Sequence, residues 1–307
     1  MPEHYGPLVR LWGVSRSQLP GSTATSSELK PLLASILDEA IPFIASVPSS
    51  PSSPDNDSSP WRSKGKRSVR HSPSPVHLYE RIIPATALAE AAQQRQATSP
   101  PGTDEAWILR RSVHEDRAAP GSASWDEWTR YFKDSHAEAE RSFTPTVVST
   151  RIEQEWDCGG IEVVLDGRTW GGFTMRLEES VHKMPAPLRN RVFPVLQATA
   201  VAVAGEGDGG ASSSGRREFI VVQIAVTDQA DTVVGTEGNL VGSYTSIERF
   251  RDVAGADGEG IEWTMGTASD ARGILPAWVQ RMSIPGIVAK DVDMFLSWVE
   301  GQRKEAT

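Results

Sequence analysis

Four strand-like runs follow one another in the second half of the chain, and only loop-like segments separate them. The runs are residues 193–204, 218–227, 241–249 and 261–269. In the last run the apolar residues Ile261, Trp263 and Met265 alternate with polar ones, which is the period of a strand with one buried face. Because no helix-length segment joins the runs, they predict an antiparallel meander rather than parallel βαβ units.

Two further alternating runs precede the meander and add strands to the same sheet. In residues 147–156 the two-residue period places Val148, Ile152 and Trp156 on one face. In residues 172–182 the apolar side chains that share a face are Phe173, Met175, Leu177 and Val181. Each run therefore predicts a strand with one buried face.

Helical patterns interrupt and close this series of strands. Ser124 is placed to cap a helix over residues 125–141, after a strand-like run at residues 107–114. A last helical stripe extends to Val299, and the Pro285-Gly286 dipeptide inside it predicts a kink or two consecutive helices. The order of strand, helical insert, antiparallel strands and long C-terminal helix predicts an α+β fold.

The N-terminal third differs in composition. Residues 28–44 carry an amphipathic helical pattern that Ser26 or Ser27 can cap, with Pro31 in the first turn. The apolar stripe of this helix favours packing on the domain over anchoring in a membrane. Residues 45–75 contain eleven serines and six prolines, with almost no aliphatic side chains. They cannot bury enough apolar area to offset the chain entropy, so we predict that they are disordered.

These changes in composition divide the chain into four predicted parts. They are an N-terminal segment with a short amphipathic helix (residues 1–44), a disordered Ser/Pro-rich linker (45–75), a helical or irregular connector (76–104) and a folded domain (105–301). The linker holds a basic run at residues 62–70, followed by two Ser-Pro dipeptides. A solvated linker is the simplest interpretation, and a phosphorylated regulatory tail or a nuclear import signal is the alternative.

Composition excludes several functional classes. Among 307 residues, 40 acidic and 31 basic side chains give a net charge of −9, which argues against a general nucleic-acid binder. Cys158 is the single cysteine, so neither an intrachain disulfide nor a thiolate-rich zinc site can form. The sequence has no apolar run of transmembrane length and does not begin like a secretory signal. We expect a cytoplasmic protein, with access to the nucleus left open.

Glycine and histidine motifs indicate no specific cofactor. Residues 205–210 have the glycine spacing of a dinucleotide-binding turn, but another strand follows them where that turn needs a helix. Phosphate-binding loops and nucleophile elbows have no counterpart in the sequence. The six histidines show no metal-ligand spacing on one element, although His114, His136 and His182 could meet in space. We therefore predict neither a cofactor nor a metal.

Carboxylates on the predicted helix over residues 125–141 are a second candidate for chemistry. They are Glu127, Asp134, Glu138 and Glu140. Paired carboxylates can carry out acid–base catalysis. Because most of these lie on the face opposite the tryptophans, a solvated helix face is the simpler interpretation.

Several short motifs carry a family resemblance. They include Arg111-Ser112-Val113-His114-Glu115, Trp170-Gly171-Gly172-Phe173-Thr174-Met175, His182-Lys183-Met184-Pro185, Arg191-Val192-Phe193-Pro194-Val195-Leu196 and Thr267-Ala268-Ser269-Asp270-Ala271-Arg272-Gly273. Together they resemble the fungal domain-of-unknown-function family 3074, which belongs to the START-like superfamily. The resemblance covers roughly residues 107–300.

The resemblance implies a START-like helix-grip fold. In such a fold a curved antiparallel sheet wraps around a long C-terminal helix, and a hydrophobic cavity lies between them. The Ser/Pro-rich stretch would then be a disordered N-terminal insertion. The resemblance implies no reaction, because the family has no general assigned activity and one fold can serve many functions.

The implied cavity gives candidate ligand contacts. The expected wall residues are apolar side chains of the sheet and closing helix, namely Phe173, Met175, Trp263, Met265, Trp278 and Met282. Arg189 and Arg191 could meet a ligand carboxylate or phosphate at the mouth. His114 and His182 are the first candidates to move a proton, should the cavity catalyse a reaction.

Three functions are compatible with this sequence. The leading one is a non-catalytic protein that binds or transfers a hydrophobic small molecule, such as a lipid, a sterol or an isoprenoid-like metabolite. The second is a cyclase-like enzyme of specialised metabolism, in which the cavity holds a reactive chain in shape. The third is a ligand-sensing regulatory protein. The expected partner is the hydrophobic ligand, with transient membrane contact and no nucleic acid; a polar pair facing the cavity would favour the enzyme.

Overall fold

A computed structural model describes most of the chain. The described residues are 7–48, 59–95, 102–203, 216–227, 238–255, 258–270 and 277–305. For residues 94–95, 255, 258–259 and 277–285 only the backbone is described. The glycine motif at residues 205–210 lies outside the described residues, as do residues 49–58 of the predicted linker.

One curved sheet organises the molecule. In the described residues its strands are β1 Arg62–Arg67, β2 Val76–Ile83, β3 Glu105–His114, β4 Val147–Trp156, β5 Val163–Leu165, β6 Arg168–His182, β7 Arg191–Val203, β8 Glu218–Ala225, β9 Leu240–Val241, β10 Ser243–Gly255 and β11 Gly258–Asp270. Their order is β1-β2-β3-β11-β10-β8-β7-β6-β4, with β5 beside β6 and β9 beside β7. Neighbours are antiparallel except for the short β7–β9 pair, as the predicted meander requires.

Helices cover both faces of the sheet. They are α1 Ser26–Ala45, α2 Ala85–Arg95, α3 Trp125–Trp128, a π-helical turn Thr129–Asp134, α4 His136–Phe143 and α5 Ala277–Glu305. Helix α1 packs on what we call the outer face. The π-helical turn and α5 pack on the opposite, inner face. The helix expected at residues 28–44 is α1, and its N-cap is Thr25, whose backbone N–H donates to Glu28 (2.8 Å).

The outer face carries one hydrophobic core. Cross-strand neighbours Met175, Ala198, Val222 and Ile247 form a buried row across four strands. The row continues through Gly266 of β11 to Leu109 of β3. A Cβ at Gly266 would lie only 3.3 Å from Leu109 and 3.8 Å from Ile44, so the missing side chain lets α1 approach the sheet closely. The N-terminal helix is thus an integral part of the fold.

The inner face carries a second core, which is rich in aromatic rings. Trp128 lies at its centre, with ring centroids 4.7 Å from Phe295 of α5, 5.0 Å from Trp263 and 5.3 Å from Phe250. Phe132 of the π-helical turn adds a contact of 4.9 Å to Trp263. These contacts fix the second half of α5 across the sheet.

Part of the predicted disordered linker has regular structure, which corrects that prediction. Strand β1 pairs antiparallel with β2, and all six of its residues are exposed. Trp61, directly before β1, is buried against Phe43 of α1 with ring centroids 5.5 Å apart. A polar strand with one apolar anchor is stable at a sheet edge because pairing satisfies its backbone while charged side chains face water. Composition alone does not reveal this arrangement.

The connector predicted at residues 76–104 also differs from expectation. It contains strand β2, which pairs with both β1 and β3, so the sheet begins well before residue 105. The backbone N–H of His71, in the turn before β2, donates to Asp293 of α5 (2.6 Å). The described residues before and after residue 105 therefore share one sheet and its cores.

Three local predictions are corrected as well. The helix over residues 125–141 is divided by the π-helical turn. The final helix is one element, so of the two forms predicted for it, a kinked helix or two consecutive helices, the second is wrong. In β4, register shifts interrupt the simple alternation. As a result Val148 and Ile152 are 49% and 40% exposed, whereas Trp156 is buried.

Candidate functional site

The inner face of the sheet changes character along its strands. At the end covered by Trp128 it carries the aromatic neighbours Phe219, Phe250 and Trp263. Toward the other end the cross-strand neighbours are polar, namely Gln197, Gln223, Ser246 and Thr267. All four polar residues are buried. Since buried sheet positions are usually apolar, this polar end marks a candidate site.

Ionisable side chains surround the polar end, and we call them the inner polar cluster. Its members are Arg110 of β3, His136 and Glu140 of α4, Glu178 of β6, Tyr244 and Glu248 of β10, and Asp291 of α5. His136 and Glu140 are four residues apart on a helix, and Tyr244 and Glu248 are four apart on a strand. The two side chains of each pair therefore lie on the same side of their element.

Arg110 and Glu248 form the centre of the cluster. Met265 lies between them in the sheet, paired with Arg110 on one side and Glu248 on the other. The Arg110 Nη2 lies 3.8 Å from a Glu248 oxygen, and its Nε lies 3.8 Å from Asp291. The guanidinium stacks 3.7 Å from the Trp263 ring centroid, and the Trp263 indole N–H donates to Glu248 (2.8 Å).

His136 binds the other oxygen of Glu248. Its Nε2 lies 3.5 Å from Glu248 Oε1. Burial alone would lower the pKa of His136, but the hydrogen bond with Glu248 and the charges of Glu140, Glu248 and Glu178 raise it to about 9. Burial opposes ionisation of Glu248 too, yet His136, Arg110 and Trp263 hold the pKa of this carboxyl below its usual value. The pair is therefore ionised at neutral pH.

The other three carboxyl groups behave in the opposite way. Burial raises the pKa of Glu140 and of Glu178, despite the positive charge of His136. Burial also raises the pKa of Asp291 to about 7, against the effect of Arg110. Asp291 nevertheless keeps 21% of its side chain accessible. A desolvated yet accessible carboxyl is expected where a side chain borders an enclosed space rather than bulk water.

Several atoms of the cluster have no hydrogen-bond partner among the described residues. They are Nε and Nη1 of Arg110, Nδ1 of His136 and Oε2 of Glu178. These three residues are 2%, 5% and 5% exposed. An unsatisfied buried polar group costs about 1–3 kcal/mol, so such atoms are normally met by a bound water or ligand.

Two of the predicted wall residues lie beside this cluster and two lie on the other face. Trp263 and Met265 belong to the inner face. Phe173 and Met175 belong to the outer core with α1, so the structure does not bring the two pairs together. The alternation within each strand identified which residues share a face but not which face is the inner one. The side chains of Trp278 and Met282 lie outside the described residues.

The predicted polar contacts are dispersed. His114 and His182 lie at opposite ends of the inner face, on β3 and β6, with four strands between these two. His114 bonds Ser112 (2.8 Å), and burial together with the charge of Arg110 lowers its pKa to about 3. His182 bonds Ser180 (3.0 Å), and burial lowers its pKa to about 4. Both imidazoles are neutral at physiological pH.

The two arginines of the short turn also have separate roles. Arg189 is exposed. Arg191 is buried and donates to the backbone carbonyl groups of Arg189 and Asn190. Its guanidinium thus holds its own turn, an arrangement that spacing in the sequence cannot indicate.

Sequence reasoning missed most of the inner polar cluster. Arg110, Glu178 and Glu248 occupy strand positions that alternation assigns to solvent, and Glu140 lies on the helix face interpreted as solvated. The signal that could have revealed them is the curved sheet itself, because both faces of its central strands are covered. No group of three or more potential metal ligands has metal-holding geometry within the part of the chain that the structure describes.

Comparison with known proteins identifies the family. Residues 107–299 match the profile of the family described as "Protein of unknown function (DUF3074)". The chain belongs to this family. A search of curated proteins found no match.

Solved structures with a similar fold were found as well. The structure of human STARD10 is 12% identical, covers 85% of this chain and 78% of its own, and has a TM-score of 0.50. Human StAR-related lipid transfer protein 5 is 10% identical, covers 92% and 99%, and has a TM-score of 0.48. The similarity to the STARD10 structure shows the fold of this DUF3074 chain alone, so its function has to be argued from the site.

No helix among the described residues is both long enough and apolar enough to cross a membrane.

Proposed function

We propose that this DUF3074 protein binds a hydrophobic small molecule between the inner face of the sheet and α5, with the ligand's polar end at the inner polar cluster. The observation that carries this proposal is the set of unpartnered polar atoms on Arg110, His136 and Glu178. The three residues come from three different elements. Each of them nevertheless interacts electrostatically with Glu248 or with Glu140. A ligand or ordered water that meets them together would remove a large desolvation cost.

Apolar contacts around the cluster support a hydrophobic ligand body. Met265 separates Arg110 from Glu248. Val195 pairs with Glu178 on one side and with Ala225 of β8 on the other. Phe193 extends this surface, with its ring 6.0 Å from that of Tyr244. A mostly apolar wall with a few convergent polar groups is typical of small-molecule sites. A lipid, a sterol or an isoprenoid-like metabolite has such a shape and polarity.

The test is to identify what the protein carries. Native mass spectrometry of protein purified from its own cells, followed by extraction, should reveal a co-purified hydrophobic compound. The same mass difference should be lost from an Arg110→Met/Asp291→Asn double variant, which removes one charge of each sign from the site. A chain with no adduct that also fails to bind a neutral hydrophobic dye would overturn the proposal.

An enzyme remains the second candidate, and one observation favours it. Asp291, with a pKa raised to about 7, can exchange a proton near neutral pH. It lies within 3.8 Å of Arg110, which could stabilise a developing negative charge. Incubation with the co-purified compound distinguishes the two functions. A carrier returns the compound unchanged, whereas an enzyme converts it and loses that conversion in Asp291→Asn.

A further inference from the structure

We propose that the first strand of the sheet docks the protein on an anionic membrane surface. The contact is a basic edge formed by β1 and the turn that follows it, with the side chains of Arg62, Lys64, Lys66, Arg67 and Arg70. The choice of a membrane over another polyanion rests on the proposed function, because it assumes that the protein carries a hydrophobic ligand. The basic edge is nevertheless a separate surface, and its test does not require the ligand to be known.

The basic edge concentrates positive charge in a protein whose net charge is −9. All five of its cationic residues are exposed. Lys64 lies 3.3 Å from Glu80, and the other four form no ion pair among the described residues. Exposed arginines elsewhere have carboxylate partners, as Arg217 has in Asp252 (2.8 Å). The basic edge is therefore a local excess of unmatched cations.

These cations flank the free edge of the sheet. Strand β1 is the terminal strand and pairs only with β2. Arg67 is the cross-strand neighbour of Val76, which belongs to the inner core, whereas Lys66 is the neighbour of His77 on the opposite face. Charged side chains on an edge strand discourage pairing with other chains, but that purpose does not require every charge to have the same sign. A flat anionic surface that approaches the edge can meet cations from both faces at once.

Two features of β1 argue against a peptide or a nucleic acid as the anionic partner. A register shift between Ser63 and Lys66 interrupts the pairing pattern of the strand, with Gly65 at a φ of +87°. Such a bulge makes the edge a poor template for an added acidic peptide strand. Trp61, directly before β1, is buried and offers no ring on which a base could stack. The basic edge is thus suited to attraction by charge alone, which is how anionic lipids attract a basic segment.

The turn after β1 connects the basic edge to the proposed ligand site. The backbone N–H of His71 donates to Asp293 of α5 (2.6 Å), and Val69 packs on the inner core. Helix α5 also carries Asp291 of the inner polar cluster. A protein held by its basic edge therefore has the helix that borders its ligand site close to the membrane, where a hydrophobic ligand partitions.

Vesicle co-sedimentation of the unmodified 307-residue chain tests the proposal. The probes are vesicles of phosphatidylcholine alone and of phosphatidylcholine with about one third phosphatidylserine. At about 0.1 M salt we expect the anionic vesicles to bind at least about tenfold more tightly, and at about 1 M salt this difference should disappear because the charges are screened. Equal binding to both vesicles, or binding to neither, would overturn the proposal. Neither result would affect the proposed function, which the co-purified compound tests independently.

Charge-removing variants locate the contact on the molecule. Each cation near an anionic membrane strengthens binding about fivefold, so Lys66→Gln/Arg67→Gln should weaken binding to the anionic vesicles about 25-fold. The control Lys30→Gln/Lys183→Gln removes two exposed cations from other parts of the fold and should weaken binding less than about threefold. Both variants should bind Nile red, a neutral hydrophobic dye, as the unmodified protein does, because none of the four residues belongs to the inner polar cluster. Equal losses of vesicle binding in the two variants would reflect general attraction and contradict the proposal.

Competition with a single-stranded RNA oligonucleotide separates the two kinds of polyanion. At equal phosphate concentration the RNA should leave the protein on the anionic vesicles, since β1 presents cations but no exposed aromatic ring. Displacement by RNA, together with RNA binding that is lost in Lys66→Gln/Arg67→Gln, would assign the basic edge to nucleic acid and overturn the choice of a membrane.

Discussion

The guanidinium of Arg110 stacks 3.7 Å from the ring centroid of Trp263, and the indole N–H of that tryptophan donates to Glu248 (2.8 Å). One aromatic side chain thus contacts both the central cation and the central anion of the inner polar cluster. It also belongs to the aromatic core around Trp128. Trp263 therefore connects the packing of the domain to the electrostatics of the proposed ligand site.

A Trp263→Phe substitution separates these two roles. The variant keeps a ring beside Arg110 but removes the N–H donor to Glu248, which should lower the free energy of unfolding by about 1–3 kcal/mol. Affinity for Nile red should change as well, because Glu248 loses a partner inside the site. Trp128→Phe is the matched control, since Trp128 is equally buried but its Nε1 has no partner among the described residues. Urea unfolding that gives equal costs for both variants would contradict the role of the Trp263 hydrogen bond.

The raised pKa of Asp291 predicts a specific pH dependence of stability. Between its ordinary value of 3.8 and its folded value of about 7, the folded state retains a proton that the unfolded chain releases. Stability should therefore fall as pH rises through this window, by up to about 4 kcal/mol from this group. Asp291→Asn should remove that fall. The stability of this variant relative to the unmodified protein should therefore be greatest above pH 7.

Thermal or urea unfolding of both proteins across pH 4–8 measures this difference. Asp38→Asn, which removes an exposed carboxylate from α1, should follow the curve of the unmodified protein. Parallel curves for Asp291→Asn and the unmodified protein would show that Asp291 is solvated.

Two buried methionines on opposite faces provide a test of where the ligand binds. Met265 is the cross-strand neighbour of Arg110 in the inner polar cluster, and Met175 lies in the outer core. Each Met→Ala change should cost about 2–5 kcal/mol of stability. Only Met265→Ala should change the dissociation constant of Nile red, measured by fluorescence at a temperature where both variants are folded. An effect confined to Met175→Ala would place the ligand on the other face.

Helix α1 should be essential for stability. Leu33 is 1% exposed on its apolar side, whereas Lys30 is exposed one turn earlier. Leu33→Ala should lower the free energy of unfolding by about 2–5 kcal/mol, and Lys30→Ala should change it by less than about 0.5 kcal/mol. Equal effects in urea unfolding would mean that α1 does not pack on the sheet in solution.

The sequence reveals the strands more readily than the faces they present. The alternation in residues 261–269 and 172–182 is visible because apolar side chains recur at every second position. It does not reveal that Trp263 and Phe173 face opposite ways, since that depends on cross-strand register and not on either strand alone. The predicted cavity wall therefore combined residues from two different cores.

The inner polar cluster was hidden for a related reason. Glu178 and Glu248 alternate with apolar residues, as the solvent-facing positions of a half-exposed strand do. Only when α4 and α5 cover that face do these carboxyl groups become buried. The sequence offers His136 as a possible metal ligand and Glu140 as one of several helix carboxylates, but it does not connect either residue with its partners on distant strands. Strand β1 was missed because its stability comes from edge pairing and Trp61 and not from its own composition.

Contacts between the two ends of the chain have a consequence for biosynthesis. Val14 forms a bridge with Val226, and Ile44 of α1 lies against Gly266 of β11. While the ribosome is still making β8 to β11, the apolar side of α1 has no completed surface to cover. Such long-range closure is slow and leaves nascent chains prone to aggregation. The apolar side of α1 therefore stays uncovered in the nascent chain until β11 has paired.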